Sequence, residues 1–117
     1  MLKPANRLAK EQDFKLLARQ GKPAYSDLFS VRVLPNGLPT SRFGIVISAK
    51  VSKKATARNL IKRRLTEVIR LNIKKIKPGY DVMILVKGTA VGKDYQQLQE
   101  SLAGLFDKAK LLFPLKK

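Results

Sequence analysis

The chain has no cysteine and no histidine. The first absence removes disulfides, thiolate metal sites and cysteine nucleophiles together, and agrees with a reducing cytosol. The second removes the commonest general base and the commonest metal ligand. Acids are scarce too, eight carboxylates against 25 lysines and arginines. Glu11, Asp13, Asp27, Glu67, Asp81, Asp94, Glu100 and Asp107 are scattered without metal-cluster spacing, whereas two-metal nuclease chemistry needs several carboxylates converging on one cleft. No glycine-rich loop is present to cradle a phosphate. The longest apolar run, Val82-Met83-Ile84-Leu85-Val86, is far short of the roughly 20 residues of a membrane span. Met1 to Arg7 lacks the apolar segment of a secretory signal. No catalytic residue and no metal ligand is assigned to this chain, and a soluble cytoplasmic protein is expected.

What is present is basic charge on a foldable chain. At 117 residues the chain suits one domain over residues 1–117, burying roughly two-thirds of its unfolded surface. A hydrophobic content of 44% is too high for a disordered basic tail, so the charge decorates a folded core. The formal net charge is +17. Self-repulsion of that size opposes compaction in the free protein and favours phosphate-rich partners. The charge is concentrated: Lys50 to Lys77 holds eleven of the 25 basic residues and a single acid, Glu67.

Glu11 to Gln20 is predicted as a short helix, with Phe14, Leu17 and Ala18 at helical spacing and Gly21 as its stop. Lys22-Pro23 forces an extended entry. Leu28 to Leu34 alternates as a strand, Phe29, Val31 and Val33 on one face and Ser30 and Arg32 on the other. The turn cluster Pro35-Asn36-Gly37-Leu38-Pro39 follows. A second strand, Arg42 to Ala49, puts Phe43, Ile45 and Ile47 on one face, and the two strands are expected to pair antiparallel. A long helix is predicted from Ala55 to Ile76, ending before Pro78-Gly79. Tyr80 to Lys87 is almost continuously apolar, the pattern of a buried strand. Asp94 to Phe113 reads as a closing amphipathic helix with Leu98, Leu102, Leu105, Phe106 and Ala109 inward. The expected order is αββαβα, with room for one further strand within Ala24 to Leu34, in an α/β (α+β) fold.

The long helix has an apolar stripe of Ala57, Ile61, Leu65, Val68 and Ile76, with Ile69 beside it. At about 100° per residue, Asn59, Arg63, Thr66 and Arg70 fall on the opposite face. Arg58 and Lys62 form a second row along its flank. A solvated face is the ordinary account of such charges. Here, though, a single acid, Glu67, lies among the cations, so i±4 salt bridges do not explain them. Lys50, Lys53 and Lys54 add charge just before the helix, where backbone N–H groups already favour anions. Phosphate binding is the better account, with arginines able to fork onto phosphate or stack on bases. The candidate RNA-binding residues are Lys50, Lys53, Lys54, Arg58, Asn59, Lys62, Arg63, Arg64 and Arg70. Phe14, Phe29 and Phe43, taken alone, read as core, while Tyr25 and Tyr95 are compatible with base stacking.

Arg42-Phe43-Gly44-Ile45-Val46-Ile47-Ser48, then Lys50, then Ala57-Arg58-Asn59-Leu60-Ile61-Lys62-Arg63, resemble the signature of the bacterial ribonuclease P protein component. Asn6-Arg7-Leu8 and Asp13-Phe14 resemble that family's N-terminal segment, and the resemblance covers the whole chain. It implies a two-layer sandwich of ribosomal-protein-like fold, with a left-handed βαβ crossover around the basic helix. It also implies a subunit of the ribonuclease P ribonucleoprotein, the enzyme that removes the 5′ leader of precursor tRNA. The partners would be the catalytic RNA, which carries the magnesium ions and the chemistry, and precursor tRNA, with one protein monomer per RNA and no cofactor on the protein. Arg58, Asn59, Lys62 and Arg63 would bind the catalytic RNA. A cleft between the first helix, the sheet and the basic region would hold the leader, with Phe14, Arg32 and Phe43 as its residues. Two positions depart from the family pattern. Leu60 stands where a basic residue is usual, a lost contact that Arg64 on the adjacent flank is placed to replace in part. Ala18 stands where an aromatic is common, which implies a shallower cleft. A structural RNA-binding protein such as a ribosomal protein fits charge and size equally well, and only the motif combination separates the two. A stand-alone nuclease lacks converging acids, and a DNA-compacting protein lacks a dimerisation helix or minor-groove arm.

Overall fold

The structure is a computed structural model and describes residues 3–113. Four strands form one sheet in the order β1-β2-β4-β3, comprising β1 (Lys22–Tyr25), β2 (Phe29–Pro35), β3 (Arg42–Val46) and β4 (Tyr80–Val86). Three helices accompany it: α1 (Glu11–Gln20), α2 (Ala55–Asn72) and α3 (Tyr95–Lys108). Strand alternation divides the sheet's side chains between two cores. Phe29, Val31, Val33, Phe43, Val82, Ile84 and Val86 pack against Ile61, Leu65, Val68 and Ile69 of α2 and Leu98, Leu102, Leu105 and Phe106 of α3. On the other face Met83 is buried with Leu8 and Leu17, and Phe14 of α1 packs beside them. The main sandwich is the sheet against α2 and α3, and α1 lies across the outer face.

β1 is the further strand for which the sequence left room, beginning at Lys22 rather than at Ala24. It runs antiparallel to β2 along the sheet's edge, the place where Pro23 costs no ladder hydrogen bond. The expected pairing of the second and third strands does not occur. β2 pairs antiparallel with β4, and β3 pairs parallel with β4, so β4 lies between them. The apolar run Val82–Val86 explains this, because a central strand buries both faces and both edges. Asn36-Gly37 turns as its sequence requires, with Gly37 at φ +68°. The Asn36 side chain, however, donates to Asp81 Oδ1 of β4 at 2.9 Å, so the turn leads across β4 instead of back along β2. β3 also stops at Val46, short of Ala49. Parallel neighbours need a long crossover, and α2 supplies it between β3 and β4.

The helix ends follow local chemistry. Gly21 closes α1 because an added Cβ would meet Leu17 O at 2.5 Å and Arg32 Cβ at 2.9 Å. Of the three α1 residues at helical spacing, Leu17 is fully buried, Phe14 half-buried and Ala18 exposed. α2 tightens into a 3₁₀ turn over Ile73–Lys75 instead of remaining α-helical to Ile76. α3 starts on a capping box between Asp94 and Gln97 and ends at Lys108, not Phe113. Lys110 then takes φ +61°, which turns Leu111 into the core. Buried Asp81 joins the pieces: it accepts from Arg42 Nε at 2.8 Å and Nη2 at 2.6 Å, and Arg42 also lies 3.5 Å from Asp13 of α1. Hydrogen bonding to Asp81 raises the Arg42 pKa above its ordinary value. Among the described residues no helix is long and apolar enough to cross a membrane.

Candidate nucleic-acid interface

β3 is an edge strand, and the N-terminal segment runs beside it. Arg7 bridges Phe43, Leu8 N donates to Phe43 O at 2.9 Å, and Asn6 Nδ2 donates to Ser41 O at 2.8 Å. α1 lies on one face of this edge and α2 on the other. Between them runs a groove of about 710 Å³, lined by Arg7, Leu8, Ala9, Phe14, Phe43, Gly44, Ile45, Asn59, Lys62, Arg63, Thr66 and Glu67. The groove wraps the strand edge, because Gly44 faces α1 while Phe43 and Ile45 face α2.

Five residues singled out from sequence meet here: Phe14, Phe43, Asn59, Lys62 and Arg63. Phe14 is half-buried, part of its ring against Leu8, Leu17 and Met83 and part in the groove. Phe43 is only 3% exposed and packs on Phe106 with ring centroids 6.2 Å apart, so its main role is core. Among the described residues the Lys62 and Arg63 side chains, both exposed, have no hydrogen-bond or ion-pair partner. The other cations go elsewhere. Lys50, Lys53 and Lys54 are exposed in the connector before α2, with Lys54 at the N-cap making no side-chain cap. Arg58 is not displayed on the outer flank with Lys62; its Nη1 donates to Ser52 O at 2.6 Å and ties down that connector. Arg64 shares a flank with exposed Leu60, but its Nη1 donates to Lys93 O at 2.8 Å on the side facing α3. Arg70 pairs with Glu67, Nε to Oε2 at 3.1 Å. These hydrogen bonds hold the Glu67 carboxyl below the usual range and raise the Arg70 pKa. Arg32 does not line the groove. α1 crosses the sheet from Gly44 under Phe14 to Arg32 under Gly21, which leaves Arg32 at the far end of that helix.

Three polar or charged groove residues were absent from the sequence-derived site: Arg7, Thr66 and Glu67. The signal for Arg7 lay in Asn6-Arg7-Leu8. Glu67 was visible as the lone acid of the basic stretch. Nothing local marked their approach to Phe14. The assembled groove sets apolar and aromatic surface beside Arg7, Lys62 and Arg63, a combination suited to bases and phosphates of one unpaired strand. Among the described residues no three acids gather into a metal-binding cluster.

Comparison with known proteins agrees in sequence and in fold. A family model described as Ribonuclease P matches residues 2–110. A ribonuclease P protein component from a Cyanothece strain is 38% identical, across 96% of this chain and 98% of the relative. One from a Synechocystis strain is 41% identical, across 91% of this chain and 86% of the relative. The Staphylococcus aureus RNase P protein superposes with a TM-score of 0.85 at 27% identity, covering 92% of this chain and 98% of its own. The Thermotoga maritima RNase P protein gives 0.81 at 32% identity, covering 87% and 96%.

Proposed function

The chain belongs to the ribonuclease P protein family, and from that premise we propose that the β3 groove receives the single-stranded 5′ leader of precursor tRNA while the connector and α2 contact the catalytic RNA. As a ribonuclease P protein component, the chain is a subunit of an RNA-processing endoribonuclease and works with an RNA partner in a ribonucleoprotein. Family membership also separates it from the ribosomal-protein alternative.

One observation carries the leader reading: a single groove brings the Phe14 ring beside Arg7, Lys62 and Arg63. Stacking on the ring is sequence-tolerant, since every base has a π-face, and the cations follow the backbone. Lys50, Lys53 and Lys54, exposed at the start of α2, serve phosphates of the catalytic RNA. Arg58 and Arg64 serve chiefly by holding the connector and the segment before α3 in place. Magnesium ions held by the RNA supply the hydrolytic chemistry; this chain binds, orients and lowers repulsion between RNA segments. Residues 1–117 act as one RNA-binding domain, one copy per RNA, in the cytoplasm.

The test is reconstitution with a bacterial ribonuclease P RNA and precursor tRNA. The protein alone should not cleave, and it should raise cleavage by the RNA at low magnesium, where its charge replaces cation screening. Phe14→Ala should weaken precursor binding by roughly 1–3 kcal/mol and leave mature tRNA binding little changed. Equal loss for both tRNAs, with folding destabilised by about 3–5 kcal/mol, would return Phe14 to the core.

A further inference from the structure

We propose that Gly44 is a positioning residue for the groove: by offering no side chain, it seats the Phe14 ring against β3 and fixes the aromatic wall of the groove. The consequence for RNA rests on the leader reading above, whereas the seat itself rests on geometry. A Cβ added at Gly44 would lie 2.4 Å from Phe14 Cζ and 2.5 Å from Cε1, with Leu8 Cβ at 3.3 Å. Contacts that short force the ring to move. The backbone gives no other reason for glycine here. Gly44 is not among the positive-φ residues, and its pairing with Met83 continues the regular β3–β4 register. Glycine inside a strand is otherwise unfavourable and marks the close approach of a neighbour. That neighbour is Phe14.

Leu8, Leu17 and Met83 are buried beside the ring, which also lines the groove. Any side chain at position 44 therefore drives the ring off the strand and out of this seat, displacing the aromatic wall on which a base would stack. Gly44 acts through Phe14, and its effect should vanish when the tip of that ring is absent.

Phe14→Leu supplies the control, because it removes Cζ and Cε1, the two atoms in the way, and keeps an apolar filler. Gly44→Ala, Phe14→Leu and the double variant are assembled with the catalytic RNA. Each is compared for precursor and mature tRNA affinity, and each free protein for its denaturant midpoint. Gly44→Ala should cut the preference for precursor over mature tRNA about tenfold, on the scale of one stacked base. It should also lower the midpoint, and both effects should disappear in the Phe14→Leu background. Equal midpoint losses in both backgrounds would overturn the seat. An unchanged precursor preference in both single variants, with the midpoint losses still confined to the Phe14 chain, would overturn the leader reading and uphold the seat.

Discussion

Arg63 and Arg42 show how differently one side-chain type is used in this chain. Arg42 is bound by Asp81 and stands near Asp13, joining β3, β4 and α1. Arg63 is exposed at the groove. Arg63→Ala should therefore shift folding stability by no more than about 0.5 kcal/mol. Its RNA affinity should fall, and the salt dependence of binding should lose roughly one unit of slope, as expected for one phosphate contact. Titrating binding against salt beside a denaturant melt checks both. The groove's one acid is held by Arg70, whose hydrogen bonds depress the Glu67 pKa. A depressed carboxyl pKa adds stability above the unfolded value, and that stability disappears as pH falls through the folded one. The pair is exposed, so the contribution is small. The cleaner readout is the carboxyl itself: in Arg70→Ala, Glu67 should titrate at higher pH than in the parent, measurable by carbon-detected NMR.

At the scale of elements, α2 and α3 begin in opposite ways. α3 has a complete capping box, with Gln97 N donating to Asp94 Oδ1 at 2.8 Å and Asp94 N donating to Gln97 Oε1 at 3.1 Å. α2 starts at Lys54 with no side-chain cap and no acid in its first turn, so its initial N–H groups and the connector lysines leave positive charge uncompensated. A residue better for stability is available at that position. Lys54→Ser should stabilise the free protein by about 0.5–2 kcal/mol through a new cap, and at the same time weaken catalytic-RNA binding by removing a cation. Melts and affinities of that single variant test whether the uncapped start is retained for RNA. A variant that gained stability with unchanged RNA affinity would remove the connector from the interface.

For the whole molecule, the +17 charge is unevenly placed. Asp94, Glu100 and Asp107 belong to α3 and its cap, whereas the groove side of α2 presents Lys62 and Arg63 with Glu67 already paired. The free protein holds like charges together that an anion would relieve. At matched ionic strength its melting temperature should rise more in sulfate than in chloride. Site binding supplies about 2.7 kcal/mol at a hundredfold excess over the dissociation constant. Sulfate also stabilises proteins by exclusion from their surfaces, so the comparison that decides is with Lys62→Ala/Arg63→Ala. That variant should retain the general effect and lose the specific part. Arg58 is unsuited to this test because its side chain holds Ser52.

The sequence by itself determined what local pattern can carry. Helical spacing located α2 and α3, alternation located β2, and the unbroken apolar run of β4 marked a buried strand. The clustering of lysine and arginine pointed to a polyanion before any fold was known. Asn6-Arg7-Leu8, the Phe43-Gly44 strand and Arg58-Asn59 through Arg63 together carried the family. Tertiary structure alone decided which strands pair, because a short chain separation does not require neighbours in a sheet, and β4 entered between β2 and β3 to bury both its edges. It also decided what each cation does. Helical position put Arg58, Arg64 and Arg63 on the same basic helix, yet carbonyl oxygens of Ser52 and Lys93 draw the first two inward and leave the third at the groove. Periodicity reports the face from which a side chain starts; only distant backbone, brought close by the fold, sets where it ends. The same limit hid the contact between Phe14 and Gly44, thirty residues apart and closed only when α1 crosses the sheet.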